Sequence, residues 1–107
     1  MSNLGGELEE EDLQKYTDAL YSIEDWDQAL VIGRYALQQY SHNYHICYIL
    51  GIINHKKKCL EDANYYLESA IEFYRNKHQK MSPEEHKYLQ AIRNENDIVR
   101  RKLNHWR

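Results

Sequence analysis

The amino-acid sequence predicts an all-α fold of about five antiparallel helices. Three observations carry that expectation. Apolar residues recur at the spacing of a helix through most of the chain. There is one proline, Pro83, and there are only four glycines, so long stretches contain no helix breaker. The chain also matches itself when Ala29 is laid on Ala63, an offset equal to the length of a helix-turn-helix repeat.

The elements follow in order. Residues 1–7 read as a frayed tail with Gly5-Gly6 as its flexible point, and residues 8–107 as one helical domain. The acidic run from Glu7 to Asp12 suits a helix N-terminus, where carboxylates oppose the positive end of the dipole. Leu8, Leu13, Tyr16, Ala19 and Leu20 then share a helical face. Ser22 and Asp25 offer a turn and an N-cap for a second helix, from about Asp25 to Tyr40. Its stripe is Trp26, Ala29/Leu30, Gly33, Ala36/Leu37 and Tyr40, and a glycine within it marks close helix approach.

Ser41-His42-Asn43 ends that helix. A third runs from about Tyr44 to His55 and is apolar on nearly all sides, which implies burial on more than one face. Three lysines, Lys56 to Lys58, mark the next turn, and a fourth helix runs from about Leu60 to Arg75. Ser82-Pro83-Glu84-Glu85 starts a last helix that reaches about Trp106. Serine caps, proline takes the first helical position, and Glu85 closes a capping box. The stripe of this helix is Leu89, Ile92, Asn96, Val99, Leu103 and Trp106.

With Ala29 on Ala63, Gly33 falls on Leu67, Ala36 on Ala70, Leu37 on Ile71 and Tyr40 on Tyr74. The pattern resembles the tetratricopeptide family. Residues 44–77 carry the resemblance best, with Leu50-Gly51 as the hydrophobic-small pair late in the first helix and Ala63 and Ala70 as the alanines of the second. Residues 10–43 are a weaker copy. Tyr16-Thr17 stands at the hydrophobic-small pair, Gly33 stands where an aromatic is usual, and neither unit ends in the family's proline. The two units cover about two thirds of the chain. The resemblance implies a right-handed α–α superhelix, with repeat one at 10–43, repeat two at 44–77, and a capping or docking helix at 82–107. Repeat arrays need such an end cap. The heptad-like stripe with Asn96 also fits a coiled coil.

The resemblance further implies a partner-binding groove lined by the first helix of each pair. Its candidates are Gln14, Asp18 and Tyr21 from unit one, and His45, Tyr48, Ile52 and His55 from unit two. Tyr48 and Ile52 would equally pack on a neighbouring helix of the chain or of a dimer mate. Family members that hold the carboxylate tail of heat-shock chaperones use a clamp of basic and amide side chains. Gln14, Asp18 and Ile49 would stand at its donor positions and cannot serve, so such a ligand is not expected. The expected partner is a helical or extended apolar segment of another protein. Two function classes emerge: an adaptor or chaperone, as in the short tetratricopeptide-like chaperones of type III secretion, and an assembly subunit that homo-oligomerises or docks through its terminal helices. Met1 reads as a natural start, while the end at Trp106-Arg107 fits a piece of a longer array as well.

Composition narrows the alternatives. Residues 1–54 hold 2 basic and 9 acidic residues, and residues 55–107 hold 12 and 8, a dipolar arrangement that suits head-to-tail association. No apolar run is long enough to span a membrane. The two cysteines make no disulfide framework, so a reducing, cytoplasmic setting is expected. Cys47 and Cys59 read as core cysteines and the six histidines as surface residues, because no CxxC, HxxxH or HExxH pair is present. No nucleophile or phosphate-binding motif appears, so neither catalysis nor a cofactor is expected. Basic clusters at Lys56–Lys58, Lys77 with Lys80, and Arg100–Lys102 lack a nucleic-acid fold signature in a chain of net charge −3, and nucleic acid is not the expected partner.

Overall fold

Five helices make up the computed structural model, which describes residues 9–106 without the side chain of Trp106. They are α1 (Glu10–Ser22), α2 (Trp26–Gln39), α3 (Tyr44–Lys56), α4 (Leu60–Lys77) and α5 (Pro83–Trp106). No strand occurs among the described residues. The expected tail at 1–7 and Leu8 lie outside the described residues, as does Arg107.

The repeat seen in the sequence is present in the backbone itself. The offset from Glu10 to Tyr44, where α1 and α3 begin, equals that from Ser22 to Lys56, where they end. It is also the offset from Trp26 to Leu60, where α2 and α4 begin. The turns agree bond for bond. Ile23, Glu24 and Asp25 donate their N–H groups to Ala19, Tyr21 and Leu20, and Lys57, Lys58 and Cys59 donate to Ile53, His55 and Asn54. Glu24 (φ 62°) and Lys58 (φ 64°) occupy the same left-handed position just past a helix end, where glycine is the usual residue.

Local signals explain the boundaries. Asp25 caps α2 by accepting from the Gln28 N–H at 3.3 Å, and Asn43 caps α3 by accepting from Ile46 at 2.9 Å. Ser82 and Glu85 form the reciprocal capping box of α5: Glu85 N–H donates to Ser82 Oγ at 3.2 Å, and Ser82 N–H donates to Glu85 Oε1 at 2.9 Å. Ser22, an expected turn residue, instead ends α1.

Each helix packs on its sequence neighbours, and α3 also touches α1 and α5. No Cα of α2 comes within 8 Å of one in α4, and the two helices approach through side chains such as Leu37 and Tyr66. Two apolar clusters result. Leu13, Leu20, Ala29, Leu30, Ala36, Ile46, Ile49, Leu50 and Ile53 join α1, α2 and α3. Cys47, Ala63, Leu67, Ala70, Ile92 and Val99 join α3, α4 and α5. α3 feeds both, which is why its sequence is apolar on most sides.

The weaker first unit has a physical account. Thr17 stands where unit two has Gly51; it is fully buried, and its hydroxyl donates to Leu13 O at 2.8 Å within the same helix. Tyr16 stands where unit two has Leu50. Leu50 is buried against α2, but no described helix precedes α1, and Tyr16 is 49% exposed. One expectation needs correction. Cys47 is buried, but Cys59 is exposed, because it is the residue that opens α4 rather than part of its apolar stripe.

Candidate protein-binding face

α1, α3 and α5 run in the same direction, and their neighbouring faces bring together most of the groove candidates. Gln14, Asp18, Tyr21, His45, Tyr48, Ile52 and His55 are all half-buried, neither core nor fully exposed. Asn43 Nδ2 donates to Gln14 Oε1 at 3.0 Å and to Glu10 Oε2 at 2.8 Å, tying the start of α3 to α1. Tyr21 lies tilted against Trp26, with ring centroids 5.6 Å apart. Ile52 sits between Tyr48 and His55 in sequence and is half-buried.

His45 links all three helices. Its Nε2 lies 3.0 Å from Asp18 Oδ1 on α1, and its Nδ1 lies 2.8 Å from the Tyr88 hydroxyl on α5. A carboxylate only accepts, so Nε2 carries the proton and donates to Asp18. In the neutral ring Nδ1 then accepts from the Tyr88 O–H. Burial, reinforced by the neighbouring Tyr44, pushes the Tyr88 hydroxyl well above the ordinary tyrosine range, so it stays protonated as that donor.

His55 repeats the arrangement one step along. Its Nδ1 donates to Glu95 Oε2 at 2.5 Å, and its Nε2 accepts from the Lys102 ammonium at 2.9 Å. Tyr48 meets Tyr88 edge-to-face at 5.6 Å. Its hydroxyl is also raised, first by burial and then by the Glu95 carboxylate. Sequence reasoning does not reach Tyr88, Glu95 and Lys102. They are spaced by seven along α5, one stripe facing α3, and that spacing is the available signal.

The capping-helix candidates divide accordingly. Leu89, Ile92, Asn96 and Val99 are buried and Leu103 is half-buried, with Ile92, Val99 and Leu103 packed around Leu67 and Ala70 of α4. The stripe is thus covered from within the chain. The side chain of Trp106 lies outside the described residues. The histidines are not simply surface residues either: His45, His55 and His78 are half-buried, and His78 Nε2 lies 3.4 Å from Glu85.

Among the described residues no group of three or more His, Cys, Asp or Glu side chains could hold a metal ion. No helix of the described chain is long and apolar enough to cross a membrane. The fold and this face define an all-α protein with an internal helical-pair repeat. No family model, curated protein or solved structure matches the chain.

Proposed function

We propose that this chain is a protein-binding module of the tetratricopeptide type, a right-handed α–α superhelix that works as a cytoplasmic adaptor or chaperone. It holds an apolar or helical segment of a partner along the face shared by α1, α3 and α5, and it is not an enzyme. The carrying observation is the recurrence of helix boundaries and turn hydrogen bonds at one fixed offset, which stacks the first helices of successive pairs side by side. Half-buried tyrosines on that face support the reading, because they offer large contact area with few rotors to freeze. A carboxylate-tail ligand is disfavoured: Asp18 would repel it, and Ile49 is buried.

The test is affinity capture from the source cell, followed by mapping of the captured partner with the Tyr48→Ala/Ile52→Ala variant. The variant should remain helical by circular dichroism and weaken the complex about tenfold or more, as expected for truncating two central contacts. Unchanged affinity in the folded variant would rule out this face.

A second reading, an assembly subunit, is favoured by one observation. Of the six exposed large apolar side chains among the described residues, four lie on the first helix pair and its turn (Tyr16 49%, Ile23 72%, Val31 58% and Tyr35 41% exposed), with Tyr65 and Ile98 elsewhere. Light scattering over a concentration series decides it. A dimer lost on Tyr16→Glu supports assembly, and a monomer at every concentration excludes it.

A further inference from the structure

At the end of this face, where α1, α3 and α5 begin and α4 ends, lies a cleft of about 390 Å³. Its volume suits a side chain rather than a helix. Tyr44, Tyr74 and Tyr88 line it. Tyr44 stands edge-on to Tyr74 at 4.8 Å and to Tyr88 at 5.8 Å, and Tyr74 and Tyr88 lie 4.8 Å apart. Glu10, Glu84 and Glu85 also line it, and among the described residues Lys77 is the one lysine or arginine that does.

We infer that this cleft is a binding site for an alkylammonium group, presented as a lysine side chain by the segment that lies along the α1/α3/α5 face. The inference rests on the proposed protein-binding role and adds the partner's chemistry. Three facts carry it. Aromatic faces are negative and attract cations. The chain's own Lys77 ammonium already stands 5.7 Å from the Tyr44 ring centroid, so the geometry accepts this group. Three carboxylates against one ammonium leave the cleft with an excess of negative charge. An anion is disfavoured by the same carboxylates, although α3 starts here, and Asn43 already accepts from one of that helix's first N–H groups. A purely apolar group would gain nothing from the negative charge of the cleft.

The test is a titration of the 15N-labelled full chain with Nα-acetyl-lysine N-methylamide, read by amide chemical shifts at constant ionic strength. Saturable shifts should appear at Tyr44, His45 and Tyr88, and the Nε-acetylated form of the same probe should produce none. Lys77→Gln, which removes the internal competitor, should tighten binding about two- to fivefold, and Glu84→Lys should weaken it by a similar factor. Glu84 is exposed, so its variant tests charge without disturbing the core. Shifts that never saturate, an equal response to the acetylated probe, or indifference to Glu84→Lys would each overturn the site. Such a failure leaves the groove itself to be judged separately by the Tyr48→Ala/Ile52→Ala variant.

Discussion

Gly33 of α2 faces Leu50 of α3 so closely that a Cβ built on the glycine would lie 2.6 Å from Leu50 Cδ2. Leu50 is fully buried. A second glycine–leucine approach of this kind lies within the second pair, where a Cβ on Gly51 of α3 would lie 2.6 Å from both Cδ2 and Cγ of Leu67 of α4. Alanine would improve helix propensity by about 1 kcal/mol at each site. Overpacking costs about 1–3 kcal/mol and outweighs it. Both Gly33→Ala and Gly51→Ala should therefore destabilise in urea denaturation. Gly51→Ala should cost more, because Leu67 Cγ cannot rotate clear as a terminal methyl can. Equal or increased stability in Gly51→Ala would contradict the packing.

The Tyr88 hydroxyl donates to His45 Nδ1 and so joins α5 to α3. Tyr88→Phe keeps the ring contacts and deletes that bond. The expected loss is about 1 kcal/mol in denaturant unfolding. A double-mutant cycle with Asp18→Ala should show non-additivity, since both residues act through one imidazole. Strict additivity would mean that His45 does not couple the two helices.

The start of α5 depends on two side chains. Ser82→Ala should cost about 1 kcal/mol by removing the acceptor for the Glu85 N–H. Glu85 is held below the ordinary glutamate range, chiefly by accepting from the Ser82 N–H and further by nearby His78 and His86. A depressed carboxylate contributes stability that is fully present above its unfolded value and is lost as pH falls through the folded value. Acidification below the usual glutamate range should therefore loosen the first turn of α5. Amide exchange at residues 84–87 should rise in wild type and be insensitive to that step in Glu85→Gln.

Helix positions are legible in the sequence because the signals for them are local. The Ser82–Glu85 box, the Asn43 turn and the alanines at 29, 36, 63 and 70 each announce an element without reference to distant residues. The shared face is only half legible. Asp18 and His45 can be placed on it by the repeat frame, but their partner Tyr88 comes from α5, outside the repeated units. Its pairing depends on where the last helix docks, which no periodicity within the two repeated units fixes. The exposure of Cys59 is hidden for a related reason. As a residue type it favours the core, but the turn places it at the opening of α4, and turn geometry overrides type.

The two thiols should therefore behave differently. Burial pushes the Cys47 thiol up to about 12, while Cys59 is exposed at the α3–α4 turn. A thiolate is the reactive form. A chromogenic disulfide reagent at mildly alkaline pH should modify one cysteine rapidly in the native protein and both in denaturant. Cys59→Ser should abolish the rapid phase. Two rapid thiols in the native chain would contradict the burial of Cys47 in the core.

Asn96 is 4% exposed, and its Oδ1 finds no hydrogen-bond donor among the described residues. It lies in the buried stripe of α5 between Ile92 and Val99, where a carbonyl oxygen stripped of water and left unpaired costs about 1–3 kcal/mol. Leucine has the same branching at Cγ and adds apolar surface to a site already shielded from solvent. Asn96→Leu should therefore raise the midpoint of thermal unfolding, with about 1 kcal/mol gained after some loss to the larger volume. The sequence alone also allows Asn96 to be the buried polar residue of a coiled coil, where it would select register at the expense of stability. The two roles separate in one experiment. If Asn96 is only a polar flaw in an intramolecular seam, the leucine variant is more stable and its oligomeric state is unchanged. If the variant changes oligomeric state in sedimentation, the stripe serves an intermolecular seam, and the packing of α5 on α4 within one chain is not the arrangement in solution.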